Sequence, residues 1–417
     1  MPGATSPWPL LKDPTVAPLF LARLVSCAGV GFGQIALAWG VMDMGYGARG
    51  LSIVLACNSI PALLIIFGGI AGDRFPRHQV LVVAEIIAFT AWLVLGISFA
   101  TNQAPFSFIC VLATIAGIAL AIFLPTIRGI IADLLPSENR PAGNALIDQT
   151  QSAGLLIGLL TSGLLVATAG PGWAASARGI LCGIGAILLS RLNTQRPQQT
   201  TGLQRELCEG WQEFLTYPWV WIMTLHYTAV TIALVCYLKI AGPLYTSHGN
   251  GGAWAWGVIN SCEALGALLG GLVGALWRPS RAIFIAAFTL VFASLPMLLM
   301  GSGSPWPLLA LITVISGVSQ AIYYVFWTTT LQETFPSEVL ARVNGWNIIA
   351  SCVLMPVTLL TAGPLVKSFG PEIVALTSGC LIIIATLTTL IFLRSTLRTP
   401  TAPKTYREQL QSLSSSP

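Results

Sequence analysis

Long apolar runs separated by short polar turns divide almost the whole chain. Each run is close to the roughly 20 residues with which an α-helix crosses a bilayer, so the pattern predicts twelve membrane-spanning helices. The first six runs are Val16–Val41, Leu51–Gly72, Val80–Ala100, Phe106–Ala132, Ala142–Ala169 and Ala174–Leu192. The last six are Tyr217–Tyr245, Ala253–Trp277, Ala282–Met300, Pro307–Leu331, Val343–Val366 and Ile373–Leu393.

Two longer polar stretches set the expected organisation. Asn193–Glu213 separates the sixth run from the seventh, and the tail from Arg394 is rich in Thr, Pro, Ser and Gln, which predicts disorder. We therefore expect an all-α membrane protein with two six-helix bundles. The expected parts are an N-terminal bundle (1–192), a cytoplasmic linker (193–216), a C-terminal bundle (217–393) and a disordered cytoplasmic tail (394–417).

Composition supports a membrane protein and excludes an ordinary soluble domain. The chain is 55% hydrophobic and 8% charged, where soluble domains have about 25% charged residues. The net charge of +5 is dispersed and does not favour nucleic-acid binding. The nine cysteines show no metal or redox spacing and are expected to pack as small side chains. The first apolar run is too long for a cleavable signal peptide, so none is expected.

The distribution of basic residues predicts the orientation, because cytoplasmic loops are enriched in Lys and Arg. An inside N-terminus places fifteen basic residues on the cytoplasmic side, whereas only Arg49, Arg178 and Lys367 fall outside. Both termini are therefore expected in the cytoplasm of a multi-pass protein of the cell membrane.

An internal repeat relates the two halves of the chain. Segments 200 residues apart match in one register, and they include Pro136-Ser137-Glu138 with Pro336-Ser337-Glu338, Asn144 with Asn344, Gly163 with Gly363, and Gly170-Pro171 with Gly370-Pro371. A spaced series in one register indicates two similar six-helix halves. Transporters built from such parallel repeats bind substrate near the midplane, between the halves.

A charged turn between the second and third runs carries the most specific motif. It reads Gly69, Asp73, Arg74, Pro76, Arg77, His78 and resembles the loop 2–3 motif of the major facilitator superfamily, G-x-x-x-D-R-x-G-R-R/K. Pro76 and His78 depart from the pattern. With the twelve runs and the repeat, the resemblance covers nearly the whole chain. It implies a transporter with alternating access.

One branch of that superfamily is the most similar. Pro125 to Arg128, Asn144-Ala145-Leu146 and Phe335 to Val343 resemble the enterobactin-exporter and macrolide-efflux branch. This resemblance implies proton-driven export of a small amphipathic compound such as a drug, antibiotic or secondary metabolite. Two features depart from proton-linked exporters: Gly158 to Gly163 lacks the antiporter proline, and the fourth run lacks an intramembrane arginine.

The family resemblance also gives the motif a mechanical role at the cytoplasmic gate. Asp73 is expected to meet the start of the eleventh helix near Arg342, where the helix dipole favours an anion. Arg74 or Arg77 is expected to pair with Asp133, and Glu85 to join this ion-pair cluster. The alternative is that these charges only enforce topology.

Charged residues inside apolar runs are costly, so each is a functional candidate. Glu263 lies about ten residues into the eighth run, where a carboxyl suits a proton carrier or a cation site. Asp148 lies two turns into the fifth run. Glu263 is alternatively a structural, hydrogen-bonded group, and Asp148 is alternatively a solvated group near the cytoplasm.

The remaining candidates for the proton and substrate pathway are weaker. His226 titrates near neutral pH but is alternatively a packing residue. Lys239 either snorkels outward or meets an acidic group or an anionic substrate, and Arg23 is expected to snorkel inward. The uncharged candidates are Gln34, Asn58, Asn260, Gln320, Tyr324 and Trp327, which alternatively act as interhelical or interfacial contacts.

Other functional classes fit the sequence less well. A nucleotide-driven pump needs a phosphate-binding G-x-x-x-x-G-K-[ST] loop, which the chain lacks, and no clustered catalytic or metal-binding set is present. We therefore expect no enzyme activity and no cofactor or metal. The expected partners are a small-molecule substrate, protons and the lipid bilayer, with no nucleic acid and a monomeric state. A proton-coupled importer, an uncoupled facilitator and a non-transporting receptor remain open.

The predicted orientation is testable by cysteine labelling of intact cells. A membrane-impermeant reagent added outside should miss a cysteine placed at position 200, in the linker, and react with one placed at position 248. The opposite pattern of labelling would contradict the orientation.

Overall fold

The structure is a computed structural model, and it describes residues 8–64, 75–136, 138–194, 217–247, 249–277, 279, 281–335 and 337–396. For residues 337–352 it describes the backbone alone. Within these ranges the chain is helical and contains no β-strand. The predicted linker and tail lie mostly outside the described residues, so the domain boundaries stay predictions.

Twelve long helical segments follow a one-turn helix at Trp8–Lys12. The first six are α1 Ala17–Asp43, α2 Gly47–Ser59 with a 3₁₀ turn at Ile60–Leu64, α3 Arg77–Thr101, α4 Phe106–Leu134, α5 Arg140–Ala169 and α6 Pro171–Leu189. The last six are α7 Pro218–Ser247, α8 Gly252–Leu276, α9 Ala282–Gly301, α10 Trp306–Thr334, α11 Ser337–Phe369 and α12 Pro371–Thr396. The all-α fold of twelve helices in two bundles is confirmed.

Length and apolar composition fit these helices to a bilayer. Ten are long and apolar enough to cross a membrane, and the described apolar parts of α2 and α11 are the shorter Gly47–Leu63 and Val353–Phe369. In hydrocarbon a helix satisfies its own backbone hydrogen bonds, which is why an apolar chain of this kind folds as helices.

The turns between helices repeat with the sequence. Gly170 ends α5 at a φ of 91° and Gly370 ends α11 at a φ of 86°, in a left-handed region that glycine reaches without strain. A proline follows each and starts the next helix, where its missing N–H costs nothing. The sixth helix therefore begins at Pro171, three residues before the predicted Ala174, and this shift moves Arg178 two turns into the helix.

The bundle has two opposite faces, which we name by residues at the helix ends. The Gly170 face holds the turn at Gly170 and its repeat at Gly370, and the Arg77 face holds the starts of α3 and α5 at Arg77 and Arg140. The sequence predicts that the Arg77 face is cytoplasmic.

The two halves meet through small residues near the Gly170 face. A Cβ atom on Gly163 of α5 would lie 2.9 Å from the Gly257 Cα of α8. A Cβ on Gly363 of α11 would lie 2.8 Å from the Ala48 carbonyl oxygen of α2 and would also collide with Ser52. Gly163 and Gly363 are 200 residues apart, so they are the same position in the two repeats. Each brings its helix backbone close to a helix of the other half, one on each side of the interface.

The contact at Gly257 predicts that alanine substitutions at two glycines of α8 have different effects on thermal stability. Gly257→Ala adds a methyl group 2.8 Å from the Gly163 Cα, whereas Gly271 has no atom within 4 Å of its built Cβ. Overpacking of this kind costs about 1–3 kcal/mol. Thermal unfolding of the purified protein should therefore show a lower Tm for Gly257→Ala and no loss for Gly271→Ala. Equal Tm values for both variants would contradict the close packing of α5 on α8.

Candidate functional site

A central cavity of about 160 Å³ lies between the two halves. The first half lines it with Val30, Gly33, Gln34, Leu37, Ala38, Leu55, Asn58, Ser59, Trp92, Leu120 and Arg178. The second half lines it with Leu238, Lys239, Pro243, Trp256, Met355 and Leu359. The cavity is mostly apolar, and its charged lining residues are one arginine from the first half and one lysine from the second. Its position agrees with the binding location expected for parallel repeats.

Arg178 reaches this cavity from α6 because its neighbours on α1 are small. A Cβ on Gly33 would lie 2.6 Å from the Arg178 Cδ, so glycine at that position leaves the space that the arginine side chain occupies. The Arg178 guanidinium carbon lies 4.3 Å from the centroid of the Trp92 ring, a cation–π contact. Arg178 is 8% exposed. The residue predicted to lie outside the membrane is therefore buried within the first half.

Lys239 lies on a local distortion of α7. Cys236–Ala241 forms a π-helical turn inside this otherwise α-helical span. Such a turn carries one extra residue, and π-turns are frequent at functional sites. Lys239 is half-buried and lines the central cavity. Its ammonium group therefore does not extend to the membrane–water interface. Of the predicted alternatives, an acidic neighbour or an anionic substrate fits this position, and outward snorkelling does not.

A second cavity of about 230 Å³ lies inside the first half, and we call it the N-half cavity. Ser26 donates a hydrogen bond to Glu85, and Arg23 donates one to the Gln151 Oε1. Arg178 lines this cavity as well as the central one. A Cβ on Gly185 would lie 3.2 Å from the Glu85 Oε1, so a glycine again leaves room for a buried charged group.

The sequence prediction for Glu85 is therefore wrong. The sequence places it among the ion pairs of the charged turn, but it is 4% exposed and lines the N-half cavity. The physical reason is distance along the helix: Glu85 follows Arg77 by eight residues, a rise of about 12 Å. Arg23, expected to snorkel inward, is also held inside, at 6% exposure.

A third cavity of about 260 Å³ lies near the Arg77 face, and its lining includes the exposed residues Asn144 and Asp148. It is lined by Arg23, Asn144, Ile147, Asp148 and Gln151. It shares Arg23 and Gln151 with the N-half cavity, which in turn shares Val30, Leu120 and Arg178 with the central cavity. The three cavities thus form a series from the Arg77 face to the centre, while small-residue contacts join the halves near the Gly170 face.

Glu263 lies in the second half and is held by Gln320. The Gln320 Nε2 donates a hydrogen bond of 2.8 Å to the Glu263 Oε1 and one of 3.2 Å to the Ser316 Oγ. Glu263 also interacts electrostatically with Lys239 of the central cavity. The structure therefore brings three predicted residues together, and Lys239 links the half-buried carboxyl to the cavity.

Close helix contacts recur beside Asn58 and Glu263. A Cβ on Gly117 of α4 would collide with the Asn58 carbonyl, and one on Gly317 of α10 would collide with the Glu263 carbonyl. Gly117 and Gly317 are 200 residues apart, whereas Asn58 and Glu263 are 205 residues apart, so the repeated glycines meet α2 and α8 at different positions of the repeat. Asn58 lines the central cavity and donates a 2.9 Å hydrogen bond to the Ala113 carbonyl oxygen.

Other predicted pathway residues are not brought to the central cavity. The His226 Nε2 lies 3.0 Å from the Thr386 Oγ1 between α7 and α12, and the Asn260 Nδ2 donates to its own helix at the Trp256 carbonyl. Trp327 is buried at 6.0 Å, centroid to centroid, from Trp219, while Tyr324 is 53% exposed. These four side chains contribute to packing or to the outer surface in the arrangement described.

The predicted gate is described only in part. Arg77 makes a 2.8 Å salt bridge to Asp133 and donates a 2.8 Å hydrogen bond to the Gly129 carbonyl, which ties α3 to α4 at the Arg77 face. Gly69, Asp73 and Arg74 lie outside the described residues, and so does the side chain of Arg342. The expected contact of Asp73 with the start of α11 stays a prediction.

Comparison with known proteins decides the family. The family model of the Major Facilitator Superfamily matches residues 19–358. The chain belongs to this superfamily. It is therefore a transporter and not an enzyme, and the resemblance read from the charged turn and the repeat is confirmed.

The relatives of this facilitator include two exporters. It is 25% identical over 382 residues to the multidrug efflux pump Tap of Mycolicibacterium fortuitum, which covers 86% of this chain and 90% of that protein. It is also 25% identical over 346 residues to the enterobactin exporter EntS of Escherichia coli O1:K1, which covers 81% of this chain and 82% of that protein.

Solved structures agree with the fold of the facilitator. The nucleoside transporter NupG has a TM-score of 0.73 at 12% identity, over 90% of this chain and 98% of that one. A bacterial homologue of the human lysosomal transporter Spinster, in an inward-facing and unoccupied conformation, has a TM-score of 0.65 at 16% identity, over 93% of this chain and 98% of that one. At these identities the likeness establishes the fold alone.

The Arg77–Asp133 pair makes a quantitative prediction. Both side chains are about one-fifth exposed, at 18% and 20%, so a coupling free energy of about 0.5–1 kcal/mol is expected. A double-mutant cycle with Arg77→Ala and Asp133→Ala, read by thermal unfolding, measures it. Arg77→Ala should cost more than Asp133→Ala because it also removes the bond to Gly129. Arg191→Ala, at an exposed position of the same face, is the control and should leave Tm unchanged. A coupling of zero would contradict the pair.

Proposed function

We propose that this transporter exports a small amphipathic compound, such as a drug, antibiotic or secondary metabolite, across a bacterial cytoplasmic membrane by proton antiport. The central cavity carries this proposal. It lies between the two halves, it is mainly apolar with a few convergent polar groups, and the series of cavities approaches it from the face that the sequence predicts to be cytoplasmic. Similarity to two exporters over four-fifths of the chain supports the outward direction.

Alternating access in this proposal consists of opening one face while the other closes. The described arrangement holds the Gly170 face together through Gly163 on Gly257 and Gly363 on Ser52. Substrate enters along the N-half cavity and reaches the central cavity between Trp92 and Trp256, whose rings offer apolar surface. Separation of the small-residue contacts then opens the Gly170 face.

Glu263 is the proposed proton carrier. The carboxyl is held by a neutral donor, Gln320, and by its electrostatic interaction with Lys239, so gain or loss of a proton changes the charge beside the substrate cavity. A buried carboxyl in a span is expected to be functional because its desolvation has to be compensated. Glu85 is a buried carboxyl of the first half, and its place in the N-half cavity makes it the alternative carrier.

An uncoupled facilitator is the second candidate, and one observation favours it. The fifth span reads Gly158-Leu159-Leu160-Thr161-Ser162-Gly163 and lacks the proline of the antiporter signature. In the structure this stretch instead packs closely on α1, where a Cβ on Gly158 would lie 2.7 Å from the Ala28 Cα. A proton symporter that imports its substrate would use the same carboxyl, that of Glu263, and would differ from the proposed exporter only in the direction of transport.

The experiment compares uphill transport with exchange. A compound-sensitivity profile of cells with and without the protein first identifies a transported compound. Inside-out vesicles with an acidic lumen should then accumulate that compound through the wild type. Glu263→Gln removes the titrating proton but keeps the size of the side chain. It should abolish uphill accumulation while downhill exchange of substrate for substrate survives.

Two further variants make the result specific. Glu333→Gln removes an exposed carboxylate of α10 and should accumulate the compound at the wild-type rate. Glu85→Gln tests the alternative carrier. If Glu263→Gln pumps uphill normally and Glu85→Gln does not, the proton role belongs to the first half. If both pump normally, proton antiport through these carboxyls is wrong.

A further inference from the structure

The described lining of the central cavity carries two cations and no carboxylate. Arg178 supplies the positive charge of the first half and Lys239 that of the second. The carboxyls that interact with them electrostatically, Glu85 and Glu263, lie outside this lining. Charged groups within a membrane are normally paired or face a water-filled cavity, so the two cations have to be compensated or solvated there.

Arg178 keeps an unsatisfied hydrogen-bond donor although it interacts electrostatically with Glu85. It is more than nine-tenths buried, and its Nε has no hydrogen-bond partner among the described residues. No salt bridge joins it to a described carboxylate. The guanidinium lies over the Trp92 ring in a cation–π contact, which does not satisfy the Nε–H donor. Burying such donors without partners is costly, which points to a missing acceptor.

Lys239 completes the arrangement from the opposite half. It lines the same central cavity as Arg178, and no carboxylate side chain is among the described residues that line it. The carboxyl that interacts with Lys239 is Glu263, which accepts a hydrogen bond from Gln320 outside the cavity lining. The cavity thus presents a cation on each side of the interface.

We propose that the central cavity binds an anionic group of the substrate, such as a carboxylate, sulfonate or phosphate, between Arg178 and Lys239. A negatively charged group there would meet one cation from each half of the chain. The apolar lining and the rings of Trp92 and Trp256 would take the aromatic or aliphatic remainder. The inference rests on the proposed function only in that the chain moves a small molecule through this cavity, and it names the charge of that molecule.

An anionic cargo also suits outward transport. Moving one elementary charge across a membrane potential is worth about 2.3 kcal/mol per 100 mV. A potential that is negative inside drives an anion outward, so the membrane potential adds to the force available for export. A cationic cargo would instead meet two positive side chains in the cavity and an opposing potential.

The charge preference is measurable without knowing the natural substrate. Gln34→Cys places a thiol in the lining of the central cavity. Purified protein is reacted with two methanethiosulfonates, one carrying a sulfonate and one a trimethylammonium group, and labelling of residue 34 is read by peptide mass spectrometry. The ratio of anionic to cationic rates should exceed the ratio at an exposed cysteine, Ser302→Cys, by about tenfold.

Second-site variants assign the preference to the two cations. Arg178→Gln and Lys239→Gln should each reduce the ratio at residue 34 several-fold, and the charge-conserving Arg178→Lys should retain it. Arg49→Gln and Lys367→Gln, which remove exposed cations, should leave it unchanged. If Arg178→Gln does not fold, Lys239→Gln carries the same test.

The outcomes separate this inference from the proposed function. A ratio at residue 34 that equals or falls below that of the exposed cysteine overturns the anion site, whatever the vesicles transport. A high ratio that persists in both Arg178→Gln and Lys239→Gln also overturns it. Vesicles that fail to pump any compound uphill, with the ratio high and sensitive to both variants, overturn proton-driven export and leave the anion site standing.

Discussion

The cost of a charge in hydrocarbon is the constraint on which the functional part of this structure depends. Among the residues that the structure describes, Arg23, Glu85, Arg178, Lys239 and Glu263 lie within the bundle, and each is hydrogen-bonded, stacked on a ring or next to a cavity. Such groups are retained in membrane spans when a pathway needs them, because an apolar residue in their place would avoid the desolvation cost. The cavities and the charges therefore explain one another.

Small residues make this arrangement possible. Gly33 admits the side chain of Arg178, and Gly185 admits that of Glu85. Near the Gly170 face, Gly163 and Gly363 bring helix backbones from opposite halves into contact. Lipid offers little hydrophobic drive for helix association, so close van der Waals packing has to supply it. The same contacts that hold that face together are the ones that alternating access has to break.

The two halves share a framework but not a chemistry. The turns at Gly170 and Gly370 and the close approaches at Gly117 and Gly317 repeat the same backbone geometry. On that framework Gly117 packs against the backbone of Asn58 and Gly317 packs against the backbone of Glu263. The two halves therefore place different polar side chains beside similar helix contacts.

The sequence by itself determined the class of protein, the twelve helices and the two related halves, because apolar length, small-residue turns and a repeat in one register are local properties of the chain. It also singled out Glu263, Lys239, Gln34, Asn58 and Gln320 as polar groups within spans. Only the tertiary structure decided which of these meet. It joined Glu263 with Gln320, placed Lys239 on the central cavity and assigned His226 to packing.

The wrong predictions have a physical cause as well. The sequence places Arg178 outside because its hydropathy starts the sixth helix three residues late, although the repeated Gly-Pro turn marks that start. The sequence analysis assigns Glu85 to the charged turn because the two are close in sequence. Eight residues of helix separate Glu85 from Arg77, so Glu85 lies in the N-half cavity instead. Hydropathy gives the depth of a residue only within a turn or two, and the side of the helix it faces depends on the neighbours that pack there.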